Sequence, residues 1–152
     1  MTVARPAELF QLDDATCWAL VGVHHVGRLI VPGNDPYVVP VNYRAVDGAI
    51  VVRTERRAVI EEVVVDHVVV FEVDMFDDRT KSGWSVVVRG RARDVTSEIQ
   101  LESERQSGPA PQPWAPGDRN YVIRIEPERV TGRLLRGRSD AQPPRRARLP
   151  LT

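Results

Sequence analysis

The 152-residue chain has one cysteine, one lysine, few aromatic residues and no formal net charge, and each shortage excludes something. Cys17 alone cannot form an internal disulfide, so the fold must rest on its core, and a reducing cytoplasm is the expected compartment. The 21 basic and 21 acidic residues cancel, which argues against a nucleic-acid binder acting by broad phosphate neutralisation. No apolar run approaches the ~20 residues that span a bilayer, and Met1 to Pro6 do not read as a secretory leader. A soluble, unprocessed protein with no membrane partner is expected. No nucleophile stands with a base at motif spacing, and no glycine-rich dinucleotide loop is present. His24 and His25 point in different directions on a helix, and neither cysteine nor a carboxylate cluster joins them or His67 at metal-ligand spacing. No metal or haem site is expected.

What is there is most informative at Gly83 to Ala92. Trp84, Val86, Val88, Gly90 and Ala92 share one face of a period-two ladder, while Ser85, Val87, Arg89, Arg91 and Arg93 share the other. Glycine weakens a strand, so Gly90 marks a bulge or the close approach of another backbone or a ligand. Because Lys81 is the only lysine, arginine use by itself carries no functional conclusion.

The length fits one domain. Asp13 or Asp14 caps a helix to about Val23, with Cys17 on its buried side. Arg28–Val31, Tyr37–Tyr43 and Ala49–Thr54 read as three antiparallel strands joined by turns at residues 32–36 and at Asp47-Gly48. A helix is expected from Arg56 to Val65 and a strand from Val68 to Met75. A polar connection, the Trp84 strand and a short helix at 97–104 follow. The proline-rich stretch 107–117 reads as a loop, residues 121–126 as a sixth strand and residues 131–135 as a seventh. Short strands with few helices point to an antiparallel barrel or sandwich. Residues 136–152 hold five arginines and no aromatic residue, and a disordered tail is expected after a domain of residues 1–135.

Gly27-Arg28-Leu29, Pro40-Val41-Asn42-Tyr43, Arg53-Thr54, residues 71–74, residues 83–90 and Pro113-Trp114-Ala115-Pro116-Gly117 together resemble the pyridoxamine 5'-phosphate oxidase-like family of FMN-binding split barrels. The resemblance covers roughly residues 10 to 135. It implies a mainly β fold, a six-stranded antiparallel split barrel with short flanking helices. It also implies a homodimer with FMN in the grooves between subunits, each site completed by the partner subunit. Carried over by position, the cofactor-binding residues are Pro40, Val41, Asn42, Arg53, Thr54, Arg56, Arg57, Trp84 and Ser85. Structural alternatives stand beside them: Trp84 as a core or dimer anchor, Asn42 as a turn former, Arg53 and Thr54 as a solvated strand face. Arg89, Arg91 and Arg93 are expected to pair with acids such as Glu72 and Asp74.

The phosphate end departs from the family pattern. Relatives place a hydroxyl and a lysine where this chain has Ala58 and Val59. Charge-assisted hydrogen bonds contribute about 1.5–3 kcal/mol each, so losing two weakens FMN by about two to four powers of ten unless Arg56 or Arg57 replaces them. The resemblance implies a flavin (FMN) dependent oxidoreductase acting on a small molecule. Two alternatives remain: a non-catalytic flavin-binding or cofactor-free relative, and a deazaflavin-dependent reductase.

Overall fold

The computed structural model describes residues 6–63, 65–103 and 111–137. Their elements run β1 (Glu8–Leu12), α1 (Asp14–Gly22), β2 (Val26–Val31), β3 (Tyr37–Val46), β4 (Ala49–Thr54), α2 (Ala58–Val63), β5 (Val65–Asp77), β6 (Ser82–Asp94), α3 (Thr96–Ser103) and β7 (Tyr121–Arg136). Every strand pairing is antiparallel, in the order β1-β7-β4-β3-β2-β5-β6. A further pairing of β6 with β7 closes β2 to β7 into a six-stranded barrel, with β1 as an extra strand on β7. Among the described residues no helix is long and apolar enough to cross a membrane.

Local chemistry explains the elements. Asp13 caps α1 by accepting from the Thr16 amide at 2.8 Å, one of the first-turn donors that a helix leaves free. Asp47 and Gly48 both have positive φ, 48° and 70°, which gives the two-residue turn that joins twisted strands such as β3 and β4. Asp77 accepts from the amides of Arg79 and Thr80 at 2.8 and 3.1 Å and so starts the turn between β5 and β6.

Alternation fills the barrel. Leu29, Val41, Tyr43, Ile50, Val52, Phe71, Val73, Val86, Val88, Ile123 and Ile125 are buried in one cluster. Cys17 and Val21 of α1 belong to it too, and burial pushes the Cys17 thiol pKa up, which keeps it protonated and inert. The Tyr43 hydroxyl donates to the Val21 carbonyl at 2.6 Å, satisfying one of the acceptors left free at the end of α1. Burial likewise pushes the Tyr43 phenol up, so it remains a donor at any ordinary pH.

Three expectations change. Residues 121–126 and 131–135 are one 16-residue strand, and β1 is a strand that the sequence reading did not find. The register of β7 against β6 shifts between Arg89↔Arg129 and Gly90↔Pro127, so Glu128 is an extra residue in a bulge. Buried and exposed residues exchange phase there: Ile123 and Ile125 are buried before it, Gly132 after it. That flip makes one strand read as two. Proline at position 127 fits a bulge because it has no amide to give to the ladder. The helix expected from Arg56 starts at Ala58, and β7 continues to Arg136. Residues 138–152, most of the expected tail, lie outside the described residues, as do residues 107–110 of the expected loop.

Gly90 sits where the bulge forces contact. A Cβ added there would lie 2.1 Å from the Glu126 carbonyl oxygen and 2.8 Å from its carbon, both backbone atoms that cannot swing aside. Gly90→Ala is expected to lower stability by about 3 kcal/mol, the upper part of the range for overpacking. Asp13→Ala, which removes only a cap, should cost about 1 kcal/mol. Urea unfolding of both variants checks the order, and a neutral Gly90→Ala would contradict the close approach.

Candidate functional site

Inward Val41, Tyr43, Val52 and Thr54 leave Asn42 and Arg53 on the outer face, and the β3–β4 register sets these two directly opposite each other. The two polar residues singled out from different motifs are therefore neighbours. Asn42 uses both ends of its amide: Oδ1 accepts from the Trp114 amide at 2.9 Å and Nδ2 donates to the His25 carbonyl at 3.4 Å. Arg53 donates through Nη1 to the Pro111 carbonyl at 3.3 Å. The segment 111–117 is thus pinned across the Asn42–Arg53 pair. Beside it a cleft of about 260 Å³ is bounded by His25, Tyr43, Arg44, Pro111, Gln112 and Trp114. Trp114 is anchored by its backbone alone, and its side chain is 71 % exposed.

The unused donors at this end matter most. Arg53 Nε and Arg119 Nε are buried, and neither has a hydrogen-bond partner among the described residues. Buried donors are rarely left unmade because the desolvation cost falls to about 1–3 kcal/mol each. Both lie where β4 ends beside the start of β7: Arg53 pairs in register with Val122, and Arg119 reaches Glu55, just past Thr54, at 3.3 Å. Two guanidinium groups at one end of the barrel are the donor chemistry that a phosphate needs, so these residues fit the phosphate end of a flavin. Sequence reasoning missed Arg119, which lies in irregular chain with no periodicity to mark it.

The two arginines expected to stand in for the missing lysine are otherwise engaged. Arg56 is bound to Glu61 at 2.7 Å and lies over the Tyr121 ring at 4.3 Å, while Arg57 is bound to Glu55 at 2.8 Å. The hydrogen bond that Arg56 donates to Glu61 raises the Arg56 pKa, and burial raises that of Tyr121. Val59 packs on the barrel core and Ala58 is exposed at the start of α2, so neither could hold a phosphate by its side chain.

The remaining positions are not brought together with this pair. Pro40 is exposed opposite Arg28, and Val41 is buried, leaving only its backbone to a ligand. Thr54 is buried on the face away from Arg53. Trp84 and Ser85 are consecutive in β6 and so face opposite ways: Trp84 is buried with its ring 4.9 Å from that of His24, and Ser85 opens to the outer face. In the closed barrel β6 is three strands from β3 in either direction. One subunit cannot bring Asn42 and Ser85 to one small ligand.

The expected partners of the β6 arginines also differ. Arg28 stands opposite Glu72 and binds both Glu72 and Asp74, at 2.5 and 2.8 Å. Burial opposes the Arg28 charge, but Glu72 and then Asp74 outweigh it and raise its pKa. With those acids taken, Arg91 pairs with Glu128 and Arg93 with Glu98, at 2.7 and 2.8 Å.

The barrel closure, the β3–β4 polar pair and the covering 111–117 segment coincide with a known sequence pattern. The family profile described as Pyridoxamine 5'-phosphate oxidase matches residues 13–134. The chain belongs to that family. An uncharacterized protein of Mycobacterium tuberculosis is 34% identical over 131 residues, covering 82% of this chain and 84% of the relative. A conserved protein of unknown function from Corynebacterium diphtheriae has a solved structure with TM-score 0.63 and 30% identity, covering 83% of this chain and 97% of the other. The structure of the FAD binding protein from Mycobacterium smegmatis superposes with TM-score 0.61 at 24% identity, covering 85% and 100%. That last likeness shows the fold, and the family assignment rests on the profile.

Asn42 should hold the 111–117 segment in place. Asn42→Ala removes one acceptor and one donor, and a loss of about 1–2 kcal/mol is expected, with faster hydrogen exchange at Trp114. Asn42→Asp keeps the acceptor and should preserve the Trp114 protection. Exchange mass spectrometry separates these outcomes, and equal protection in all three proteins would contradict the tie.

Proposed function

We propose that this protein is a flavin-dependent oxidoreductase of the pyridoxamine 5'-phosphate oxidase family, holding FMN at the seam between two copies and acting on a small organic molecule. The observation that carries this reading is the Asn42–Arg53 pair with two buried arginine donors, Arg53 Nε and Arg119 Nε, left unused beside it. When bound, the flavin would supply the two-electron chemistry, which accounts for a site without a nucleophile and base.

Each residue then has a physical task. Arg53 and Arg119 hold the anionic end through charge-assisted hydrogen bonds. Asn42, fixed at both ends of its amide, orients the β3 edge, where the backbone beside it meets the polar rim of the ring system. The 111–117 segment limits water on that side. Ser85 reaches the same ligand only from a second subunit, because β3 and β6 lie on opposite walls of one barrel. A row of apolar residues supports such pairing: Phe76, Gly83, Leu135 and Leu9 are in register across β5, β6, β7 and β1, with Leu9 63 % and Phe76 51 % exposed.

A second reading has its own support. Because Arg56 and Arg57 are neutralised by Glu61 and Glu55, and Val59 is part of the packing, this chain also fits a relative that binds flavin without turnover or has lost it. An absorption spectrum of the freshly isolated protein, followed by FMN and FAD titration, decides. A yellow protein with micromolar or tighter affinity is expected, weakened about tenfold to a hundredfold in Arg53→Ala. A colourless protein with no affinity below millimolar would overturn flavin binding. A deazaflavin band in protein from the native host would replace FMN by that coenzyme. Oxidation of reduced flavin no faster than that of free flavin, across a panel of acceptors, would leave a binder. Sedimentation should give twice the chain mass.

A further inference from the structure

On the outer face of β6 and β7, Arg89 stands opposite Arg129, Val87 opposite Thr131, and Ser85 opposite Arg133, with Gln11 of β1 beside Arg133. These side chains line a groove of about 630 Å³. Like charges directly opposite each other destabilise an antiparallel pair. An acid was one residue away: had β7 continued in step past Gly90↔Pro127, Glu128 would face Arg89. The bulge instead gives Glu128 to Arg91 and sets Arg129 against Arg89. Among the described residues no carboxylate pairs with Arg89, Arg129 or Arg133, and the acids on the neighbouring strand, Glu72 and Asp74, are held by Arg28. The local fold moves that carboxylate to Arg91 and leaves positive charge concentrated on one groove.

We propose that this groove binds a phosphorylated small molecule of nucleotide size, with its phosphate between Arg89 and Arg129. Two guanidinium forks offer paired donors that match phosphate oxygens. Arg129 and Arg133 are four residues apart on one strand, about 13 Å, so the body of the ligand extends along Val87 and Thr131 toward Ser85, Gln11 and Arg133. Val87 gives an apolar floor, and the hydroxyls and the amide give polar contacts of both kinds. The groove volume falls inside the usual range of small-molecule pockets, about 300–1,000 Å³. It lies on the opposite wall of the barrel from Asn42 and Arg53, and of the residues assigned to the flavin it shares only Ser85.

Calorimetric titration of the full chain with ADP, with adenosine as the uncharged control, tests it. ADP should bind and adenosine should not. Arg89→Gln and Arg129→Gln, both exposed and away from the core, should each weaken ADP about tenfold or more, while Arg93→Gln should not. Arg129→Glu should abolish ADP binding and raise the melting temperature, because it restores an ion pair with Arg89. Repeating the titration with saturating FMN identifies the source of the phosphate: competition makes it the flavin's own, and undiminished ADP binding makes it a second molecule. Equal affinity for ADP and adenosine, or an unchanged affinity in the double Gln variant, would overturn the site. So would a wild type that ignores ADP but dissociates into single subunits on Arg129→Glu, since the arginines would then face the acids of a second copy.

Discussion

The structure depends on one change of phase. Strand β7 has to pair with β4 at its start, with β1 at its end and with β6 for most of its length. A regular strand of 16 residues would keep one set of side chains inward throughout and could not bend from the barrel wall onto the extension. The extra residue at Glu128 resolves this. Before it Tyr121, Ile123 and Ile125 enter the core, and after it Val130 and Leu134 pack against the same core and Gly132 is buried. The bulge in turn needs Gly90, because the Glu126 carbonyl occupies the place of its side chain. Closure, core and outer-face charge all follow from that local contact.

The same alternation decides which polar residues can cooperate. Asn42 and Arg53 meet because each follows an inward residue on adjacent strands and their register brings them level. Trp84 and Ser85, though bonded neighbours, are divided by the sheet. A functional motif read along a strand therefore names two environments, one in the core and one on the surface. Arg28 adds a second rule: an acid pair on one strand is claimed by the flanking strand whose register suits it, which is why Glu72 and Asp74 did not reach the arginines of β6.

Much of the fold was legible in the residues. The cap at Asp13, the Asp47-Gly48 turn and the buried face of the Trp84 strand are local signals, each set by a few adjacent side chains, and the six motifs in register identified the barrel. What was hidden needed long-range information. Residues 8–12 become a strand only because the far end of β7 offers an edge 120 residues away, as Leu12 opposite Gly132 shows. The unity of β7 was hidden by its own bulge. In the site, the residue types at positions 42 and 53 and the existence of the proline-rich loop were readable, but the loop's place across that pair and the part played by Arg119 were not, since irregular chain leaves no period to follow.

The departure at Ala58 and Val59 has a structural logic. In α2, Val59 lies against the barrel core, and a lysine there would have to trade that packing for a reach back to solvent. With the helix committed to the core, its neighbouring arginines are bridged to Glu55 and Glu61, and Glu55 is shared between Arg57 and Arg119. One carboxylate between two guanidinium groups leaves that cluster with residual positive charge, and the unused Arg53 Nε stands nearby on β4. Positive charge at this end of the barrel therefore comes from a strand and a loop rather than from the helix. Arginine is suited to that role, because its fork can serve a carboxylate with one edge and still present donors along another, which the single ammonium of lysine cannot do with fixed geometry.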